Sequence, residues 1–231
     1  MFQLLKYFNK IYLIYSKLNV YICGMNVLEL FAGSRSIGKV AESLGMNVFS
    51  CDWKPFDNID FIGDIENLNI SDIPFTPDFV WASPDCTTYS IAACSTHRLN
   101  SIEPKSEYAV KCDRVNIHFI NIIKELLIIN PNMVFFIENP RGILRKMPFM
   151  QEFKIHTIWY CQYGDDRAKP TDIWTNSEIW KPRAMCKNGN PNCNHERAPR
   201  GSKTGTQGKK GSYDRSIIPK QLCEEILKSI I

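Results

Sequence analysis

The sequence predicts a doubly wound α/β domain: an open, mostly parallel sheet with helices on both faces, interrupted by one small irregular basic insertion. Short apolar runs alternate with stretches of helical periodicity from residue 26 to residue 140, the pattern of repeated strand–helix units. The first run ends in a glycine-bearing turn, FAGS, of the kind that lets backbone approach a ligand closely. Between Ser177 and Gly211 the composition shifts to Gly, Pro, Asn, Lys and Arg without periodicity, which marks an inserted stretch of 35 residues.

Asn26 to Leu30 (NVLEL) reads as a strand, and IGKVAESLG after the turn as a helix closed by Gly45. MNVFSCDW supplies a second strand, FIGDI a short third, and DFVWASP a fourth that stops at Pro84. Glu107 to Ile129 carries apolar residues at helical spacing, and Pro131 ends that helix before the strand MVFFIEN. TIWYCQYG and TDIWTN read as two more strands, antiparallel neighbours at one edge, and SIIPKQLCEEILKSII as a capped amphipathic helix. The expected organisation is an extension over 1–24, a ligand-binding domain over 25–176, the insertion over 177–211 and a returning segment over 212–231. Lys6, Lys10 and Lys17 interrupt the apolar character of the extension, and no small-residue cleavage site follows it. It is therefore not read as a signal peptide, and it is expected to be dispensable.

The 231 residues suit one larger domain with an appendage. With 44% hydrophobic and 23% charged residues, fibrous, coiled-coil and disordered classes are excluded, and no apolar stretch approaches the roughly 20 residues of a membrane span. The net charge of +4 is localised: Lys181 to Lys210 holds eight Lys or Arg against one acid, a net of +7 that leaves the rest of the chain at −3. Such a block suits phosphate contact, or a solvated surface loop. Nine cysteines without a secreted-type framework suggest a reducing, cytoplasmic setting.

Three features carry chemistry. Asp52 follows Gly33 by 19 residues at a strand end, the spacing at which an acid holds ribose hydroxyls, so an adenosine-type ligand is expected although FAGSRSIG lacks the full dinucleotide fingerprint. Cys86, in SPDCTTYS just past the fourth strand, is placed as a nucleophile or as a half-buried thiol. Glu138, after five apolar residues, leaves the sheet at the same edge, and strands about 4.8 Å apart can bring it beside Cys86. Within the insertion, Cys186, Cys193 and His195 form C-x6-C-x-H. Three ligands at that spacing depart from common zinc patterns, so free thiols and no bound metal are expected.

Six segments, in order, resemble the motifs of the DNA cytosine-5 methyltransferases. These are VLELFAGSRSIG, CDW, GDIENL, SPDCTTYS, FFIENPRG and QYGDDRAKPTDIWTN. The compact form, with APRGSKTGTQG late in the chain, looks most like small phage and prophage members. The resemblance implies a Rossmann-like methyltransferase sheet with S-adenosylmethionine as cofactor, and Cys86, Glu138 and Arg167 as catalytic residues. Glu29, Phe31, Ala32 and Gly33 would surround the methionine portion of the cofactor. Asp52 and Trp53 would meet its ribose and adenine, Asp64 and Ile65 its adenine, with Pro84 and Ser216 closing the site. One departure matters chemically: Asp85 precedes Cys86 where the family usually has proline, and a carboxylate there is expected to raise the thiol pKa.

The resemblance also implies the reaction. Cys86 adds to C6 of cytosine, Glu138 holds N3 and the exocyclic amine, Arg167 binds O2, and C5 accepts the methyl group. The cytosine has to be flipped out of the duplex, and the stretch Ile91 to Ser106, with His97 and Arg98, is placed to close over it. Double-stranded DNA is the expected partner of a monomeric protein, read by Arg183, Arg197, Arg200, Lys203 and Lys209 over a short or degenerate target. A separate restriction nuclease is a candidate companion. Two alternatives stay open: the same chemistry on RNA or a free pyrimidine nucleotide, and a catalytically degenerate domain that binds DNA without modifying it.

Overall fold

The computed structural model describes residues 24–187, 189–195 and 211–231. The expectation about the N-terminal extension, and those for Arg197, Arg200, Lys203 and Lys209, lie outside the described residues.

The chain forms strand β1 (Asn26–Leu30), helix α1 (Ser36–Ser43), β2 (Asn47–Asp52), a two-residue β3 (Phe61–Ile62) and β4 (Phe79–Ala82). A one-turn helix α2 (Cys94–His97) and the hairpin of β5 (Arg98–Leu99) and β6 (Glu103–Pro104) precede the long helix α3 (Glu107–Ile129). Then come β7 (Val134–Pro140), β8 (Ile155–Trp159), β9 (Pro170–Thr175) and helices α4 (Ser212–Ser216) and α5 (Lys220–Lys228). Seven strands make one sheet in the order β3-β2-β1-β4-β7-β9-β8. The first five are parallel, and β9 runs antiparallel to both β7 and β8. The domain is α/β with a mostly parallel sheet, compatible with a Rossmann-like fold.

Alternation along the strands builds two cores. Leu28, Leu30, Val80, Phe135 and Ile137 face α3 through Phe119 and Ile123. Val27, Phe79, Trp81 and Phe136 face the other way, toward Ile37 and Ala41 of α1 and Leu222 and Ile226 of α5. Burial on both faces explains why these strands read as continuous apolar runs. Helix α3 keeps its expected bounds because the Ser106 hydroxyl accepts from the Ala109 amide at 3.1 Å, with Glu107 in the first turn. The expected cap of α5 is absent: Pro219 stands at that position and no side chain bonds the first amides.

Two features position the site. The chain leaves β1 toward β2 and β3 on one side and passes from β4 to β7 on the other. The crevice at the carboxyl ends of β1 and β4 is therefore the topological switch point where open α/β sheets bind ligands. Second, Cys51, Leu30, Ala82 and Ile137 lie abreast in register, so Asp52, Phe31, Ser83 and Glu138 leave the sheet along one edge. No helix among the described residues is long and apolar enough to cross a membrane.

Candidate active site

The turn after β1 is wound tightly. Phe31, Gly33 and Arg35 take positive φ angles of 56°, 51° and 53°, which for the two side-chain-bearing residues stores on the order of 1–3 kcal/mol each. The surroundings hold the turn there. The Ala32 amide donates to the Cys51 carbonyl at 3.0 Å and the Gly33 amide to Asp52 Oδ2 at 2.9 Å, while the Phe31 ring meets Phe119 edge-on at 5.3 Å. Arg35 folds inward: its Nε donates to Ser50 Oγ at 3.0 Å and its guanidinium pairs with Glu42.

Glu29 lies beneath this turn rather than at its surface. Only 1% exposed, it accepts from the Ile37 and Gly38 amides at 3.1 Å each and from Ser50 Oγ at 3.0 Å. Gly38 is required by that approach, since a Cβ there would sit 2.5 Å from Glu29 Oε2. The carboxylate thus pins the first turn of α1 to the sheet. Burial pushes its pKa up to about 7, against the opposing pull of Gly38, Ser50, Arg35 and Ile37. The folded protein therefore holds this proton more tightly than the unfolded chain. Stability from this group is fully present below pH 4.5, its ordinary value, and is lost as pH rises toward 7. Glu29→Gln accepts the same amides without ionising, so urea unfolding across that window is expected to show a flatter slope in the variant. Parallel slopes would contradict this assignment.

Beside the turn opens a cavity of about 210 Å³ lined by Gly33, Ser34, Lys39, Pro55, Phe56, Asp57 and Tyr213. Phe56 and Tyr213 bring their rings to 5.6 Å across it. Asp52 adjoins it through the Gly33 amide, and its other oxygen accepts from the Lys54 amide at 2.9 Å. Each carboxylate oxygen retains a second lone pair, so ribose hydroxyls can still be accepted. These residues suit an adenosine-type ligand. The aromatic groups lining the cavity are Phe56 and Tyr213, neither of which the sequence singled out. Trp53 is 66% exposed, does not line the cavity, and carries the Lys54 ammonium 4.6 Å from its ring centre.

The remaining expected cofactor residues are spread wider. Asp64 caps a short turn through the Glu66 amide at 3.2 Å and pairs with Lys111 at 2.6 Å. Burial would raise its pKa, but Lys111, the Glu66 amide and Arg114 together hold it below the ordinary value. Ile65 is buried in the α3-side core. Ser216 turns its hydroxyl back to the Tyr213 carbonyl at 2.7 Å. It is the neighbouring Tyr213, not Ser216, that reaches the cavity.

Across the switch point, Cys86 and Glu138 come together. Pro84 is buried, and its carbonyl accepts from Asn139 Nδ2 at 2.8 Å, which ties the cysteine turn to the end of β7. Glu138 is buried and accepts from the Tyr160 hydroxyl at 2.7 Å. A third group, missed from sequence, completes the cluster: the buried Lys169 Nζ lies 3.8 Å from Glu138 Oε1 and 4.5 Å from the Tyr160 ring centre, and donates to the Arg215 carbonyl at 3.3 Å. Cys86 is exposed as a residue, yet its sulfur is crowded by protein, and that desolvation raises its pKa. The Lys169 ammonium pulls it back, while Asp85 and Glu138 push it up. The expected effect of Asp85 is thus present, opposed by a cation. Asp85 also accepts from the Thr87 amide at 2.6 Å and the Tyr108 hydroxyl at 2.5 Å, which orients the turn. Lys169 has its own pKa lowered by burial, with Glu138 and Cys86 favouring its charge and Arg167 opposing it.

Four expected contact residues have other tasks here. Arg167 is wholly buried: Nε and Nη2 bind Asp165, and the remaining donors reach the carbonyls of Asp214, Arg215 and Ile217. With every N–H engaged, it clamps the returning segment and has no donor left for a pyrimidine O2. Arg98 closes bidentately on Asp113 at 2.7 Å, binds Thr88 and the Ile102 carbonyl, and lies 4.5 Å from the Tyr89 ring centre. His97 binds the Ser106 hydroxyl at 2.8 Å. The stretch expected as a closing loop is thereby a folded helix and hairpin anchored to the cysteine turn. Arg183 binds Glu225, Gln221 and the Gln162 carbonyl, so it joins the insertion to α5. Compared with known proteins, the chain matches no family model and no curated protein sequence.

Proposed function

We propose that the protein is an S-adenosylmethionine-dependent methyltransferase acting on cytosine C5 in double-stranded DNA. The observation that carries this reading is the convergence of Cys86, Glu138 and Lys169 at one sheet edge, across the switch point from the cavity beside Asp52. Such a trio has the chemistry that a pyrimidine needs. The Cys86 thiolate forms a bond to C6, which moves an electron pair toward C5 and develops charge over N3 and O2. Glu138 is placed to meet N3 and the exocyclic amine, and Lys169, rather than Arg167, to balance negative charge on the sulfur and at O2. Bound S-adenosylmethionine supplies an electrophilic methyl group. Loss of the C5 proton to a base, followed by departure of the sulfur as thiolate, restores the ring and frees Cys86.

Duplex DNA carrying 5-fluorocytosine tests the reading, because fluorine at C5 blocks the last elimination. With S-adenosylmethionine present, wild-type protein is expected to form a covalent adduct that survives denaturing electrophoresis, and Cys86→Ser to form none. An adduct with fluorocytosine RNA but not DNA would move the substrate to RNA. Absence of any adduct in the wild type, with DNA binding retained, would leave the degenerate-binder reading.

A further inference from the structure

The three candidate ligands of the insertion are joined by a fourth from outside it. Cys161, from the 3-10 turn Tyr160–Tyr163 that follows β8, joins Cys186, Cys193 and His195, and the four ligand atoms all lie within 4.8 Å of one another. We propose that these residues form a structural zinc site that staples the basic insertion to the catalytic sheet.

Donor chemistry and packing both favour it. Three sulfurs and an imidazole are a soft, tetrahedral set suited to zinc, and Zn–S bonds of about 2.3 Å place sulfurs about 3.8 Å apart, a short contraction from the observed cluster. Amide groups already point at the sulfurs: Gln162 Nε2 lies 3.5 Å from Cys193 Sγ and 3.9 Å from Cys161 Sγ, and Asn190 Nδ2 lies 3.4 Å from Cys186 Sγ. N–H donors of this kind stabilise metal-bound thiolates and fix their direction. The described part of the insertion from Lys181 to His195 has no helix or strand, and Cys186 and His195 are its only buried side chains among the described residues. Between Lys181 and His195 both buried side chains among the described residues are thus candidate ligands, and a metal would serve that stretch in place of an apolar core.

Binding converts three S–H groups into Zn–S bonds and releases three protons, leaving the site with a net charge of −1. His195 Nδ1 lies 3.8 Å from Cys186 Sγ, and its Nε2 accepts from the Gly189 amide at 3.1 Å. Ligation through Nδ1 therefore moves the ring proton to Nε2 and turns that amide away. The consequence reaches the candidate active site, because Tyr160, adjacent to Cys161, holds Glu138 through its hydroxyl.

Metal analysis of the full chain, purified under reducing conditions without chelator, is expected to give about one zinc per molecule, and Cys161→Ser to lose most of it. Should that variant fail to fold, cobalt exchanged into the wild type supplies a second readout: the intense visible bands of a tetrahedral cobalt thiolate, abolished by chelation. Zinc near zero with no such spectrum would overturn the proposal. So would iron in place of zinc, a disulfide within the cluster, or full zinc retention in a folded Cys161→Ser. None of these readouts depends on methyl transfer, so the site stands or falls separately from the proposed activity.

Discussion

If the protein is the methyltransferase proposed, Lys169→Met is expected to lower methyl transfer by roughly 10²–10³-fold, the usual loss when a fixed charge at a reacting centre is removed, and in any case to slow alkylation of Cys86 in the free protein. Both effects have one cause. Desolvation, Asp85 and Glu138 all press the Cys86 thiol toward its neutral form, and the nearby Lys169 ammonium favours the thiolate. Removing that charge raises the thiol pKa further, so less thiolate exists at any pH below it, and the alkylation profile moves to higher pH. Lys169→Arg keeps a charge and should restore part of the profile. Alkylation with iodoacetamide across a pH series measures this without DNA or cofactor. A merely structural Lys169 predicts a different outcome, in which the variant unfolds more easily while a folded fraction reacts at the wild-type pH. Identical profiles for wild type and Lys169→Met would remove Lys169 from the mechanism.

Why Cys86 and Glu138 were legible in the sequence and Lys169 was not follows from what fixes each position. Apolar runs buried on both faces of a parallel sheet declare where strands end, and a polar residue just past such an end has few places to go. Cys86 and Glu138 follow FVWA and VFFI, whose register sets Ala82 beside Ile137. Lys169 instead lies in DDRAKP, a charged run that reads as solvated. Which of its cations turns toward the thiol is decided by the wind of the turn between β8 and β9. The cue present in the sequence was Asp165, two residues before Arg167 and in reach of its guanidinium, which left the next cation free to face inward. Cys161 was hidden for a similar reason. It sits in the strand-like run TIWYCQYG, 25 residues before Cys186, and only the fold brings it to the insertion. Conversely, Arg35 and Arg98 look like surface cations, yet the buried Ser50 hydroxyl and Asp113 hold them in the protein.

Arg167→Met is expected to destabilise the fold strongly, by about 3–5 kcal/mol, the usual consequence of stripping one partner from a buried ion pair. For a chain of this size that is a fall in Tm of roughly 6–20 °C. The guanidinium is fully buried, and the Asp165 side chain that it binds is 8% exposed. Burial would raise the Asp165 pKa, but Arg167 side-chain and backbone hydrogen bonds hold it below its ordinary value. Methionine fills the volume but leaves that carboxylate buried beside an apolar chain and strands the carbonyls of Asp214, Arg215 and Ile217. Those carbonyls belong to α4 and the segment entering α5, where Tyr213 lines the cavity. Limited proteolysis should therefore cut near residues 211–219 in the variant before the rest of the domain opens. Pairing the change with Asp165→Asn removes the orphaned charge and should recover part of the loss, so the double-mutant cycle reads the coupling directly. Had Arg167 gripped a substrate ring instead, the single variant would keep its Tm and its resistance to protease and would lose only activity. That pattern would return the arginine to the proposed catalytic centre and displace Lys169 from the role argued for it.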